Sequence, residues 1–138
     1  MGRILIIDDD ADYVTGIKVF LEANRHQVFT ASSGSEGLQR VKEIGPDLII
    51  LDVMMETRTE GFQVSLVLRD RSPASAYAAW RHVPILMLTS IHDTTRLRFG
   101  PDEDYLPVSG FVEKSVRLDV LLAKVEELLA AAARPERV

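Results

Sequence analysis

The chain of 138 residues is 46% hydrophobic and 27% charged, with a net charge of −5. That length suits one globular domain with a core; the polarity excludes a membrane-embedded protein, and the acidity argues against direct nucleic-acid binding. The absence of cysteine excludes a disulfide framework, a thiol nucleophile and a thiolate metal centre. With a first strand expected from Arg3 there is no space for a signal peptide, and no apolar run approaches membrane-spanning length, so a soluble cytoplasmic protein is expected.

Arg3-Ile4-Leu5-Ile6-Ile7 is an aliphatic run of the buried-strand kind, and it passes straight into Asp8-Asp9-Asp10-Ala11-Asp12. Four acids in five residues suit a solvated loop or a helix N-terminus, where negative charge is favoured. Over residues 12–24, Tyr13, Ile17, Phe20 and Leu21 recur at helical spacing, with Asn24 as a C-terminal cap. Gln27–Ala31 reads as a second, shorter strand. Ser33 or Ser35 can cap a second helix whose apolar face is Leu38, Val41 and Ile44, and Gly45-Pro46 stops it. Asp47-Leu48-Ile49-Ile50-Leu51-Asp52 then predicts a central strand buried on both faces and closed by a carboxylate.

A third helix is expected from near Gly61-Phe62, carrying Leu66 and Val67 and ending by Arg71-Ser72-Pro73; residues 74–81 suit either helix or loop. Pro84-Ile85-Leu86-Met87-Leu88 predicts another strand, ending in Thr89-Ser90. Residues 91–109 hold Gly100-Pro101, Asp102-Glu103-Asp104 and Pro107 without a sustained apolar period, so no long regular helix is expected there. Gly110-Phe111-Val112-Glu113 reads as a short last strand delivering Lys114. Leu118, Leu121, Leu122, Val125, Leu128 and Leu129 form the stripe of a final helix. Residues 1–130 read as one domain and residues 131–138 as a fraying tail.

Strands alternating with helices predict an α/β fold, a doubly wound parallel sheet with helices on both faces. Ligands of such sheets gather outside the carboxyl ends of the strands, where the winding reverses. If the first and third strands are neighbours there, Asp8, Asp9 and Asp52 converge. A carboxylate can attack phosphorus to give an aspartyl phosphate, and clustered acids facing a dianion require a hard cation with oxygen ligands.

Asp8-Asp9, Asp52, Thr89 and Lys114, each closing an aliphatic strand and in this order, resemble the receiver domain of two-component response regulators. The likeness runs from the first strand to the last helix and implies a flavodoxin-like five-stranded sheet of strand order 2-1-3-4-5. It implies that Asp52 is the phosphoacceptor, and that Asp8 and Asp9 hold Mg²⁺ together with Asp52 and the Met54 backbone carbonyl. Thr89 and Lys114 would contact the phosphoryl group, Phe111 falls at the family's aromatic switch position, and Ser90 at a small position beside the hydroxyl. The implied partners are a sensor histidine kinase or phosphotransfer protein and a downstream effector protein, with no catalysis beyond self-phosphorylation and self-dephosphorylation. Residues 91–109, Phe111 and the exposed side of the final helix are expected to form the partner surface.

The chain departs from the family's pattern at four places: Met54 after Asp52, Glu56 instead of proline in the loop to Gly61, Ser115 instead of proline, and a longer segment between Thr89 and Lys114. A trans Lys114–Ser115 peptide is expected, since a non-proline cis bond costs about 3 kcal/mol. Two other readings exist. One is a binding module that acts without phosphorylation. The other is a small phosphatase of the haloacid dehalogenase type, with Asp8-Asp9-Asp10 as its D-x-D pair and Thr89 and Lys114 as later motifs, which leaves Asp52 without a role.

Overall fold

Strands β1 (Arg3–Ile7), β2 (Gln27–Ala31), β3 (Leu48–Asp52), β4 (Ile85–Thr89) and β5 (Gly110–Glu113) pair in parallel in the order β2-β1-β3-β4-β5. The computed structural model describes residues 2–52, 64, 67–68, 83–89, 110–114 and 116–132. Helices α1 (Ala11–Ala23), α2 (Gly34–Ile44) and a C-terminal helix (Leu118–Ala132) complete the described elements, with Val64, Val67 and Leu68 also helical. This is the doubly wound parallel sheet expected from the strand–helix alternation, in the flavodoxin-like order that the resemblance implied.

The sheet is buried on both faces because its central strands are apolar between their ends. Side chains alternate across a strand. Leu5, Ile7, Ile49, Leu51, Ile85 and Met87 therefore join Val41, Val64 and Leu68 in one core. Ile4, Ile6, Leu48, Ile50, Leu86 and Leu88 join Val14, Ile17, Leu21, Leu121 and Val125 in the other. Winding reverses between these layers, since α2 covers the first face and α1 with the C-terminal helix the second.

Local chemistry sets the helix ends. The Asp10 carboxylate accepts from Tyr13 N–H at 3.2 Å and caps α1. Asn24 is the C-cap as expected, but the left-handed residue is the next one, Arg25, at φ 73°. Arg25 N–H then donates to Glu22 O and His26 N–H to Leu21 O, closing the turn. Ser33, rather than Ser35, caps α2 through Glu36 N–H, and Gly45 ends it at φ 63°. His26 is buried between elements: its Nδ1 accepts from Gly2 N–H at 3.2 Å and its Nε2 meets Glu126 Oε2 at 3.4 Å.

Several sequence expectations shift by a turn or a residue. Val14, absent from the expected stripe of α1, is buried, while Tyr13 and Phe20 are only partly so. β4 starts at Ile85, because Pro84 has no N–H to pair; its carbonyl still accepts from Ile49 N–H. Val64 and Leu68 are the core residues of their segment, and Val67 is exposed. Leu118 begins the C-terminal helix beyond the edge of the core and is 41% exposed. That helix runs through Ala132, two residues into the segment read as a tail. The start of the third helix, Leu66, residues 69–82 and residues 91–109 lie outside the described residues.

Two glycines in helices have opposite environments. A Cβ at Gly37 of α2 would run into Ile7 Cδ1, whereas one at Gly16 of α1 would meet nothing within 4 Å. Gly16→Ala is therefore expected to stabilise the fold by about 1 kcal/mol through helix propensity. Gly37→Ala gains the same propensity but overpacks β1 at a cost of about 1–3 kcal/mol, so it should be neutral to destabilising. Urea midpoints of the two variants check this; equal midpoints would contradict the close approach of α2 to Ile7.

Candidate functional site

The register of the sheet assembles the site. Ile7 pairs with Leu51, so Asp8, one residue past the end of β1, lies beside Asp52, the last residue of β3. Thr89 pairs with Glu113 at the ends of β4 and β5, which brings Lys114 to the same edge. Asp8 and Asp52 are each 2% exposed, while Asp9 is exposed. One carboxylate oxygen from each of Asp8, Asp9 and Asp52 falls within a group no wider than 4.8 Å.

Lys114 reaches into this cluster. Its Nζ lies 3.1 Å from Asp8 Oδ2 and 3.3 Å from Asp52 Oδ2. The expectation that the ammonium points inward despite Ser115 is met; Ser115 and its peptide lie outside the described residues. The second Asp8 oxygen accepts from Asp10 N–H at 2.9 Å, which fixes the carboxylate. Burial disfavours the Lys114 ammonium, yet the charge of Asp52, then that of Asp8, with hydrogen bonds to both, raises its pKa above the ordinary lysine value.

Tyr13 is the site residue that sequence reasoning took for core. Its ring centroid lies 5.0 Å from Lys114 Nζ. Burial, then the charges of Asp8, Asp52 and Asp10, push its phenol up to about 12. The available signal was its place five residues after Asp8, where one helical turn brings it back over the strand ends. Both raised values have one sign: the folded state keeps these protons better than the unfolded chain. Their contribution is fully present at neutral pH and is lost as pH rises from about 10 through the folded values. In metal-free protein, an absorbance titration of the parent minus Tyr13→Phe should show one phenol ionising near 12; a difference curve centred near 10 would contradict the geometry.

Of the other expected site residues, Thr89 ends β4 and Phe111 lies in β5 opposite Met87. Met54 and Ser90 lie outside the described residues. Three oxygen donors, two of them buried, with a single ammonium among them, suit a hard divalent cation better than a softer metal. Asp10, the second acid of a D-x-D pair, is occupied as the cap of α1. That and the convergence of Asp52 with Lys114 do not favour the phosphatase reading or a bare binding module. No helix among the described residues is long and apolar enough to cross a membrane.

An open parallel sheet of this order, with acids and an ammonium gathered at its strand ends, defines a flavodoxin-like α/β protein. The chain belongs to the response regulator receiver domain family, whose model it matches over residues 4–126. It is 38% identical over 128 residues to the alkaline phosphatase synthesis transcriptional regulatory protein PhoP of Bacillus subtilis, covering 90% of this chain and 50% of that protein. It is 32% identical to the transcriptional regulatory protein AfsQ1 of Streptomyces coelicolor, covering 94% of this chain and 52% of AfsQ1. The chain thus spans about half the length of these two relatives. Protein PilH of Pseudomonas aeruginosa is matched over 99% of its length at 27% identity and 94% of this chain. Among solved structures, the signal receiver domain of a signal transduction histidine kinase from Syntrophus aciditrophicus superposes with a TM-score of 0.79 at 26% identity, covering 100% of this chain and 97% of that one.

Proposed function

We propose that Asp52 accepts a phosphoryl group from a sensor histidine kinase or a phosphotransfer protein, and that the resulting conformational change signals to an effector protein. The observation that carries this reading is the buried Asp52 carboxylate at the end of β3, 3.3 Å from Lys114 Nζ and grouped with Asp8 and Asp9. An Asp52 oxygen forms the new O–P bond as the bond from phosphorus to the donor breaks, leaving an aspartyl phosphate. Lys114, already held inward by carboxylates, would pair with a phosphoryl oxygen. Asp8, Asp9 and Asp52, with the Met54 carbonyl, are the groups that would hold Mg²⁺. When bound, the ion neutralises charge that three clustered acids would otherwise turn against an incoming dianion.

In this reading Thr89 contacts the phosphoryl group and is coupled to Phe111, which lies on the next strand opposite Met87. A phosphoryl group shifts the domain between states only by binding one of them better. Phe111, residues 91–109 and the exposed side of the C-terminal helix, where Leu118 and Val120 stand clear of the core, form the partner surface. Residues 1–130 constitute the receiver unit, working in the cytoplasm without direct contact to nucleic acid or membrane.

The test is incubation with a small acyl-phosphate donor. The chain should acquire a hydroxylamine-labile phosphoryl group in Mg²⁺ and none after chelation. Steady turnover of a phosphomonoester, or no labelling at any Mg²⁺ concentration, would sink the proposal.

A further inference from the structure

We propose that Tyr13 is a positioning residue for phosphoryl transfer: its ring face, 5.0 Å from Lys114 Nζ, holds the ammonium against Asp8 and Asp52. The inference rests on the function proposed above and assigns a further residue to that same site. Lysine carries its charge on a flexible four-carbon stem, so two carboxylates on one side leave it able to swing toward solvent. The Lys114 side chain is 24% exposed, which leaves a route for that swing. Tyr13 supplies a third contact for the same charge.

The chemistry of an aromatic face suits the task. It attracts the ammonium through the ring quadrupole and takes up none of its N–H donors. Those donors remain available for a phosphoryl oxygen. A further carboxylate in the same place would hold Lys114 more tightly but would add a charge that repels the dianion. Tyr13 is itself fixed, because its N–H donates to Asp10 Oδ1 in the first turn of α1 and its ring packs partly buried beside the core. The Asp10 cap thus sets the register of the helix that carries the ring, and the ring sets where the ammonium rests.

The experiment is a double-mutant cycle of Tyr13→Leu with Lys114→Met, with Tyr13→Phe as the conservative variant. It is read on the labelling rate at saturating Mg²⁺ and on the unfolding equilibrium without metal. Tyr13→Leu should slow labelling about two- to fivefold, Tyr13→Phe should keep the parent rate, and Tyr13→Leu should change nothing in the Lys114→Met background. The unfolding equilibrium constants should show a coupling of the same size between the two positions. Equal slowing by Leu and Phe, or an effect of Tyr13→Leu that persists without Lys114, would overturn the proposal. If the parent is not labelled at all, the receiver function fails, while the unfolding cycle still decides the contact: coupling supports it and strict additivity overturns it.

Discussion

Asp52→Asn is expected to abolish phosphoryl incorporation outright while raising the stability of the metal-free protein. The loss follows because an amide oxygen lacks the charge to attack phosphorus, and Asp8, the other buried carboxylate among the described residues of the site, is held by Asp10 N–H. The gain follows from electrostatics. Among the described residues, Asp8, Asp9 and Asp52 share one small region with a single ammonium, so removing one charge relieves a net negative cluster. The gain is the difference between two repulsions and one attraction to Lys114, a fraction of the roughly 4 kcal/mol that one charge pair carries at about 4 Å in such a setting. Saturating Mg²⁺ should reverse the order, because in the proposed site the parent would hold the ion with three acids and the variant with two. At one hundred times its dissociation constant the ion adds about 2.7 kcal/mol to whichever form it binds. Melting curves with and without Mg²⁺, together with the labelling assay, check both halves. Labelling that persists on another residue of Asp52→Asn would refute the assignment.

Lys114→Met should act in the opposite direction on stability. It keeps the length of the stem and removes the charge, leaving Asp8 and Asp52 together without the ammonium that now lies within 3.3 Å of both. Breaking a fully buried pair by removing one partner costs roughly 3–5 kcal/mol. Lys114 is 24% exposed, so about 2–3 kcal/mol is expected here after allowing for solvent screening. The penalty should shrink on adding Mg²⁺, which neutralises the same carboxylates. Labelling should fall by about 10²-fold, the scale seen when one donor to a developing oxyanion is lost. Chemical denaturation with and without Mg²⁺ separates the two effects. A variant as stable as the parent in metal-free buffer would show that the ammonium does not hold the acids together.

The same substitution tests the pH argument. The raised Lys114 value predicts that the parent loses stability as pH climbs above the ordinary lysine range. Lys114→Met should lack that part of the alkaline slope, and the remainder should include the late ionisation of Tyr13 near 12.

The sequence by itself determined the strands, the fold class and the chemistry of the strand ends. Runs such as Ile4 to Ile7 and Leu48 to Leu51 are apolar at every position, and their shortness and β-branched content favour a strand covered on both faces over a buried helix. A carboxylate directly after such a run must emerge at the sheet's edge, which is why Asp8 and Asp52 were legible without coordinates. Helix faces were less so. Tyr13 and Val14 are adjacent and both apolar enough for a core, and composition cannot say which of two neighbours faces inward. Tertiary structure chose Val14 for the core and turned Tyr13 toward Lys114. It also decided that Gly37, unlike Gly16, is a point of close approach, because only the packed position of α2 brings Ile7 there. The alternation of side chains along a strand is local and therefore written in the sequence. Which helix turn meets which strand end depends on how separate elements pack, and only the folded chain fixes that.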